Sequence, residues 1–156
     1  MRIWFDTEFI EDGRTIDLIS IGLVREDGNY YYAINKECDY SKASAWVAKN
    51  VLPRLGSGSY FKRAEIAADI IKFAGEKPEF WAYYADYDWV ALCQLYGMMI
   101  DLPKGWPMFC MDVKQLAVML GNPKLPKQSD ESEHNALEDA RWTMGAWQYL
   151  QSLTVP

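Results

Sequence analysis

The chain has 156 residues, which fits one domain. It is 50% hydrophobic, 15% aromatic and 24% charged, which excludes a disordered chain and supplies material for a core. A formal net charge of −6 argues against a nucleic-acid coat protein with a broad basic face, but not against an enzyme whose acids gather cations at a small phosphate-binding site. In chain order, residues 2–10 read as a strand rich in Ile, Trp and Phe. Glu11-Asp12-Gly13 reads as a turn. Residues 15–25 form a second apolar run, Asp27-Gly28-Asn29 is a hairpin signal, and Tyr30-Tyr31-Tyr32 with Ile34 makes a third strand. The chain thus opens on an antiparallel meander.

Helices then alternate with strands. Residues 42–52 are expected to be helical and to stop before Pro53, and 56–59 form a Gly/Ser loop. Residues 62–74 carry Ile66, Ile70, Ile71 and Phe73 at helical spacing. Residues 79–84 read as a short strand, and 88–96 as a helix with Asp86 as its cap. Residues 107–111 are a further short strand, and 112–120 a helix capped by Asp112. The polar stretch 121–133 is a loop, and the last helix spans about 135–153. This order predicts an α/β fold, a mixed five-stranded sheet flanked by helices.

The opening Met1-Arg2-Ile3-Trp4-Phe5-Asp6 does not resemble a secretory signal, and no apolar run reaches membrane-spanning length. Cys38, Cys93 and Cys110 form no C-x-x-C spacing, so they are expected to be reduced thiols in a cytoplasmic protein.

Three acidic signals stand out. Asp6 and Glu8 lie in an apolar strand and project from one face, because strand side chains alternate. Two like charges about 4 Å apart repel by about 4 kcal/mol at an effective dielectric of about 20, so a buried pair needs a cation or a proton. The competing reading is an edge strand with solvated acids. Asp88 shares a helical face with Ala91, Leu92 and Leu95 and so faces inward, or else simply caps the helix. Asp139 sits in the small apolar stripe Ala136, Thr143, Ala146, Leu150, where an acid is expensive unless it binds something. Glu138 points elsewhere, toward Arg141 or water. The single histidine, His134, is five residues before Asp139 and off its helical face. It is placed at the loop edge, able to swing over the site, with an ordinary surface histidine as the alternative.

Taken together, the segments FDTEF, YDWVAL and HNALEDA resemble the DEDDh class of 3′–5′ exonucleases, which have the ribonuclease H-like fold. The stretches MRIWFDTEFIEDGRTIDLISIGLVREDG, WVAKNVLPRL and YDWVALCQLYG are more closely similar to a small mycobacterial-type exoribonuclease group of the ribonuclease T superfamily. The resemblance places Asp6 and Glu8 in the first motif, Asp88 in the second, with Tyr87 as its aromatic, and His134 and Asp139 in the third. The pattern departs at Tyr84, where many relatives have an asparagine that helps hold the site or substrate.

The resemblance implies two Mg²⁺ or Mn²⁺ ions held by Asp6, Glu8, Asp88 and Asp139, with Asp6 bridging them. Hard oxygen ligands suit these ions. His134 would take the proton of the attacking water, a task that suits an imidazole titrating near neutral pH. The implied substrate is the 3′ end of single-stranded RNA or DNA, with RNA favoured, and a homodimer is consistent with relatives of the superfamily. Phe9 and Trp89, each beside a motif acid, are candidates to stack bases, with core packing as the alternative. Thr7, between the paired acids, is a third candidate for substrate contact. Lys124 and Lys127 are either phosphate contacts or solvated loop residues. Two other functions compete: a non-catalytic nucleic-acid-binding module on the same fold, and a two-metal internal cutter.

Overall fold

The computed structural model describes residues 1–154. Strands β1 (Arg2–Glu11), β2 (Ile16–Arg25) and β3 (Tyr30–Asn35) form the anticipated meander. The order continues with α1 (Ala45–Asn50), β4 (Tyr60–Phe61), α2 (Arg63–Ala74), β5 (Glu79–Ala82), α3 (Ala85–Cys93), β6 (Met111–Asp112), α4 (Val113–Met119) and α5 (Ala136–Ser152). The strands make one mixed sheet in the order β4-β3-β2-β1-β5-β6. β1 and β2 are antiparallel, as are β2 and β3, whereas β5 runs parallel to β1. Among the described residues, no helix is long and apolar enough to cross a membrane.

The sheet has six strands rather than five. The extra strand, β4, lies just past the Gly/Ser loop and pairs only Tyr60 with Ile34 and Phe61 with Asn35. Two residues cannot show a period of two, so this pairing leaves no local trace in the sequence. The helix expected over 42–52 is shorter. Ser44 caps α1 by accepting from the Val47 N–H, and Pro53 falls inside a following 3₁₀ turn, Leu52–Arg54. A proline is tolerated in a first turn because its missing N–H would have no helical partner there.

Alternation along β1 sorts its side chains between two cores. Ile3 and Phe5 face α2 and α3, joining Ile66, Ile70, Ala91 and Leu92. Trp4 faces the other way, onto Val113, Ala117, Ala146 and Leu150 of α4 and α5. Asp6 and Glu8 share the parity of Trp4, so both project from the sheet face that α5 covers. The ladder to β2 shifts register just after Glu8, between Glu8 and Phe9.

Gly22 sets how closely α5 approaches. A Cβ there would lie 2.4 Å from the carbonyl carbon of Ala136 and from Cα of Leu137. The bare glycine lets the first turn of α5 lie directly on β2. That turn carries Asp139.

Candidate active site

The site forms where β1 outruns its partner. β5 pairs with β1 only at Arg2, Ile3 and Trp4. Beyond Trp4 that edge of β1 is free, and the start of α3 fills the gap. Asp88 is buried there and accepts hydrogen bonds from the Thr7 N–H at 2.9 Å and from Thr7 Oγ1 at 2.5 Å. Asp86 does not cap α3. The cap position is Tyr84, with φ 58° and ψ 54° and no side-chain cap bond, while the amide of Ala85 donates to Asp112 Oδ2. Left-handed backbone favours Gly, Asn and Asp. An asparagine would suit this backbone, and the tyrosine here adopts the turn without that preference.

Asp139 enters from α5. Its Oδ2 accepts from the His134 backbone N–H at 2.9 Å, and its Oδ1 accepts from Gln128 Nε2 at 2.5 Å. His134 has φ 65° and immediately precedes Asn135, which caps α5 through the Leu137 and Glu138 amides. This turn brings the His134 ring back over the carboxylates despite the angular offset. One ligand atom from each of Glu8, His134 and Asp139 lies within 4.8 Å of the other two. Trp46 of α1 meets the His134 ring edge to face, with centroids 4.9 Å apart.

The electrostatics record the convergence. Burial, followed by repulsion from Asp88, Glu8 and Asp139, holds the Asp6 carboxyl well above its ordinary range. Burial and then Asp139 push Glu8 up to about 8, with Arg54 pulling weakly the other way. Burial raises Asp88 to about 7 against the lowering effect of its Thr7 bonds. Burial also raises Asp139, opposed by the Gln128 and His134 donors. The four acids disfavour one another's charge, and of them Glu8 and Asp139, together with His134, bring ligand atoms within 4.8 Å of one another, a donor set that a divalent cation could use.

The remaining candidate residues fall in varied surroundings. Trp89 is half-buried and packs against the core, its ring 6.5 Å from Phe5 and 5.6 Å from Phe80, in line with the core-packing alternative. It sits on the apolar side of α3, where the large ring covers Phe80. Thr7 is buried and serves Asp88 rather than solvent. Phe9 stacks on Tyr87 with centroids 5.8 Å apart, and lines a cavity of about 310 Å³ with Glu8, Trp46 and Val47. Glu138 pairs with Arg141 on the outside of α5. Lys124 is exposed, and Lys127 pairs with Asp130, at 3.5 Å, in the same loop. Trp46, Tyr83, Gln128 and Trp142, which no sequence motif marks, also line the cavities at the acids. Trp46 had one available signal, the single large aromatic on a short helix that buries none of its residues. Gln128 had none.

With this geometry in place, comparison with known proteins becomes specific. Residues 1–151 match the family model described as the 3′-5′ exoribonuclease Rv2179c-like domain. The chain is 45% identical over 148 residues to the 3′-5′ exoribonuclease Rv2179c of Mycobacterium tuberculosis H37Rv, covering 90% of this chain and 88% of that one. The counterpart from strain CDC 1551 matches equally. Among solved structures, a zinc-bound complex of Escherichia coli exonuclease I with single-stranded DNA superposes with a TM-score of 0.70 at 14% identity, over 97% of this chain. The same enzyme with a dT13 oligonucleotide gives 0.65. The chain spans only about 40% of these exonuclease I chains, so the likeness is one of fold. Family match, relatives and fold agree with one another, and the chain belongs to the Rv2179c-like 3′-5′ exoribonuclease domain family.

Proposed function

We propose that the protein is a divalent-metal-dependent exonuclease that removes nucleotides one at a time from the 3′ end of a single strand, RNA in preference to DNA, and releases nucleoside 5′-monophosphates. The observation that carries this reading is the meeting of Asp6, Glu8, Asp88, Asp139 and His134 at the free edge of β1. The preference for RNA rests on relatives named exoribonucleases.

Asp6, Glu8 and Asp139 would hold two Mg²⁺ or Mn²⁺ ions, with Asp88 supporting the second. Such ions, when bound, lower the pKa of water and relieve charge on the transferring phosphoryl group. Asp88 stays in place through its two bonds to Thr7. His134 accepts the proton of the attacking water at a ring nitrogen. Water oxygen bonds to phosphorus, the bond to the 3′-oxygen of the preceding nucleotide breaks, and that oxygen takes a proton from solvent and leaves as a hydroxyl. Trp46 braces the His134 ring, and Phe9 and Trp46 bracket the terminal base in the cavity beside Glu8. A cytoplasmic setting suits the three unpaired thiols.

The test is a 5′-labelled single-stranded RNA incubated with Mg²⁺ or Mn²⁺. A ladder shortening by single nucleotides, abolished by EDTA, supports the reading. Binding without cleavage favours a binding module, and internal fragments favour an internal cutter.

A further inference from the structure

His134 sits on a stretch, residues 128–135, that has no apolar side chain and no buried residue. Hydrophobic contact, which orders the rest of the chain, cannot fix this stretch, so hydrogen bonds must. His134 also has φ 65°, a conformation that a side chain other than glycine keeps only where its surroundings hold it.

Those hydrogen bonds go to few places. Within the stretch, the Ser132 and Glu133 amides donate to the Ser129 carbonyl at 3.0 and 3.3 Å. Toward α5, Gln128 and His134 donate to Asp139, and Asn135 accepts from the first-turn amides. Among the described residues, every other hydrogen bond between this stretch and the rest of the chain goes to Arg54. Arg54 Nη2 donates to the Asp130 carbonyl at 3.4 Å, and Asn135 Nδ2 donates to the Arg54 carbonyl at 2.7 Å. One residue thus grips the stretch on both sides of His134.

Arg54 is well anchored for that task. It ends the 3₁₀ turn that holds Pro53, and in sequence it lies between Val51 and Leu55, both buried in a core with Ile10, Ile19 and Ile34. Its Nη1 donates to the Asn50 carbonyl, so the planar guanidinium is set between two backbone acceptors. The helix just before it, α1, supplies Trp46 against the His134 ring. We propose that Arg54 is a positioning residue for His134: its guanidinium at Asp130 and its carbonyl at Asn135 hold the polar stretch so that the imidazole stands at the carboxylates. This assignment rests on the exonuclease reading, in which His134 accepts the proton of the attacking water.

The test combines kinetics with proton NMR of the metal-free protein. His134 is the only histidine of the chain, so its ring signals are identified without further assignment. In the wild type the Trp46 ring current displaces them from the positions of free histidine. Arg54→Ala moves them toward those positions. On single-stranded RNA the same variant lowers kcat by about tenfold and leaves KM close to the wild-type value, a smaller loss than the about 10²-fold or more expected when a general base is removed outright. Arg54→Lys, whose ammonium cannot span both carbonyls as the guanidinium does, falls between the two in ring signals and in kcat. A urea melt of each variant corrects the rates for folded protein, and Arg54→Lys carries the same readings if Arg54→Ala does not fold. The proposal alone is overturned if the His134 signals stay where they are in the variants, if they move while kcat is unchanged, or if the loss falls on KM, which would make Arg54 a substrate contact. If the wild type does not cleave the strand, the exonuclease reading falls and this assignment falls with it.

Discussion

Asp88 reaches from the first turn of α3 to Thr7 on β1, accepting both the backbone N–H and the side-chain hydroxyl of that residue. The contact joins the two elements that carry the first and second acidic motifs. It also pulls the Asp88 carboxyl down against a larger upward push from burial. Thr7→Val keeps the shape and the backbone bond but removes the hydroxyl. The expected result is a loss of about 1 kcal/mol in stability. Asp88 then becomes harder to ionise, so more Mg²⁺ is needed for half-maximal activity. A metal titration of the cleavage rate together with a urea melt checks both effects.

Asp6 suffers burial and three acidic neighbours. Asp6→Asn removes its charge at almost constant volume. Without metal the variant should melt higher than the wild type at pH 8, by about 3 °C or more. With metal it should show no cleavage. A residue needed for catalysis whose neutralisation stabilises the metal-free fold indicates repulsion stored at the site. A lower melting temperature for the metal-free variant would count against that picture.

The same repulsion fixes a direction with pH. Glu8 and Asp88 are raised to about 8 and about 7, above their values in an unfolded chain. Between the unfolded and folded values the native state holds more protons, so its stability falls as pH rises. The metal-free protein should therefore lose stability from about pH 5.5 to pH 8. Mg²⁺ or Mn²⁺ should restore most of the loss at pH 8 and little at pH 5.5. Thermal melts at a series of pH values, with EDTA and with metal, provide the check.

Gly22 lies on β2, whereas Asp139 is on α5, and its effect on the site is through the backbone. Gly22→Ala would place a methyl group 2.4 Å from the Ala136 backbone, where no flexible side chain can yield. The helix start must shift, at a cost of about 2 kcal/mol. Asp139 and His134 shift with it. Activity should fall by more than the loss of folded protein explains, which circular dichroism and specific activity measured on the same sample would reveal.

The positions of these acids were partly readable before the fold was known. Alternation in a strand is a local rule, so it correctly put Asp6 and Glu8 on one face. The helical stripe around Asp139 likewise marked an inward acid, and Asp112 does cap α4 through the Lys114 and Gln115 amides. What escaped the reading depends on contacts distant in the chain. β4 exists only because β3 offers it an edge. Trp89 faces Phe80 rather than solvent because of how α3 rolls on the sheet, which adjacency to Asp88 does not reveal. The cap of α3 falls on Tyr84 because the chain turns left-handed there, a conformation that tyrosine does not advertise. Gln128 reaches Asp139 from a loop with no periodicity at all.

The most direct measurement is an anomalous difference map from crystals soaked with Mn²⁺ and a nucleoside 5′-monophosphate. The account predicts two peaks between Asp6, Glu8, Asp88 and Asp139, at coordination distances of about 2.0–2.2 Å from the oxygens of Asp6, Glu8 and Asp139. The phosphate should bridge the peaks, with the His134 ring beside it. A well-ordered map with no manganese among these acids, or with manganese bound elsewhere, would contradict the account.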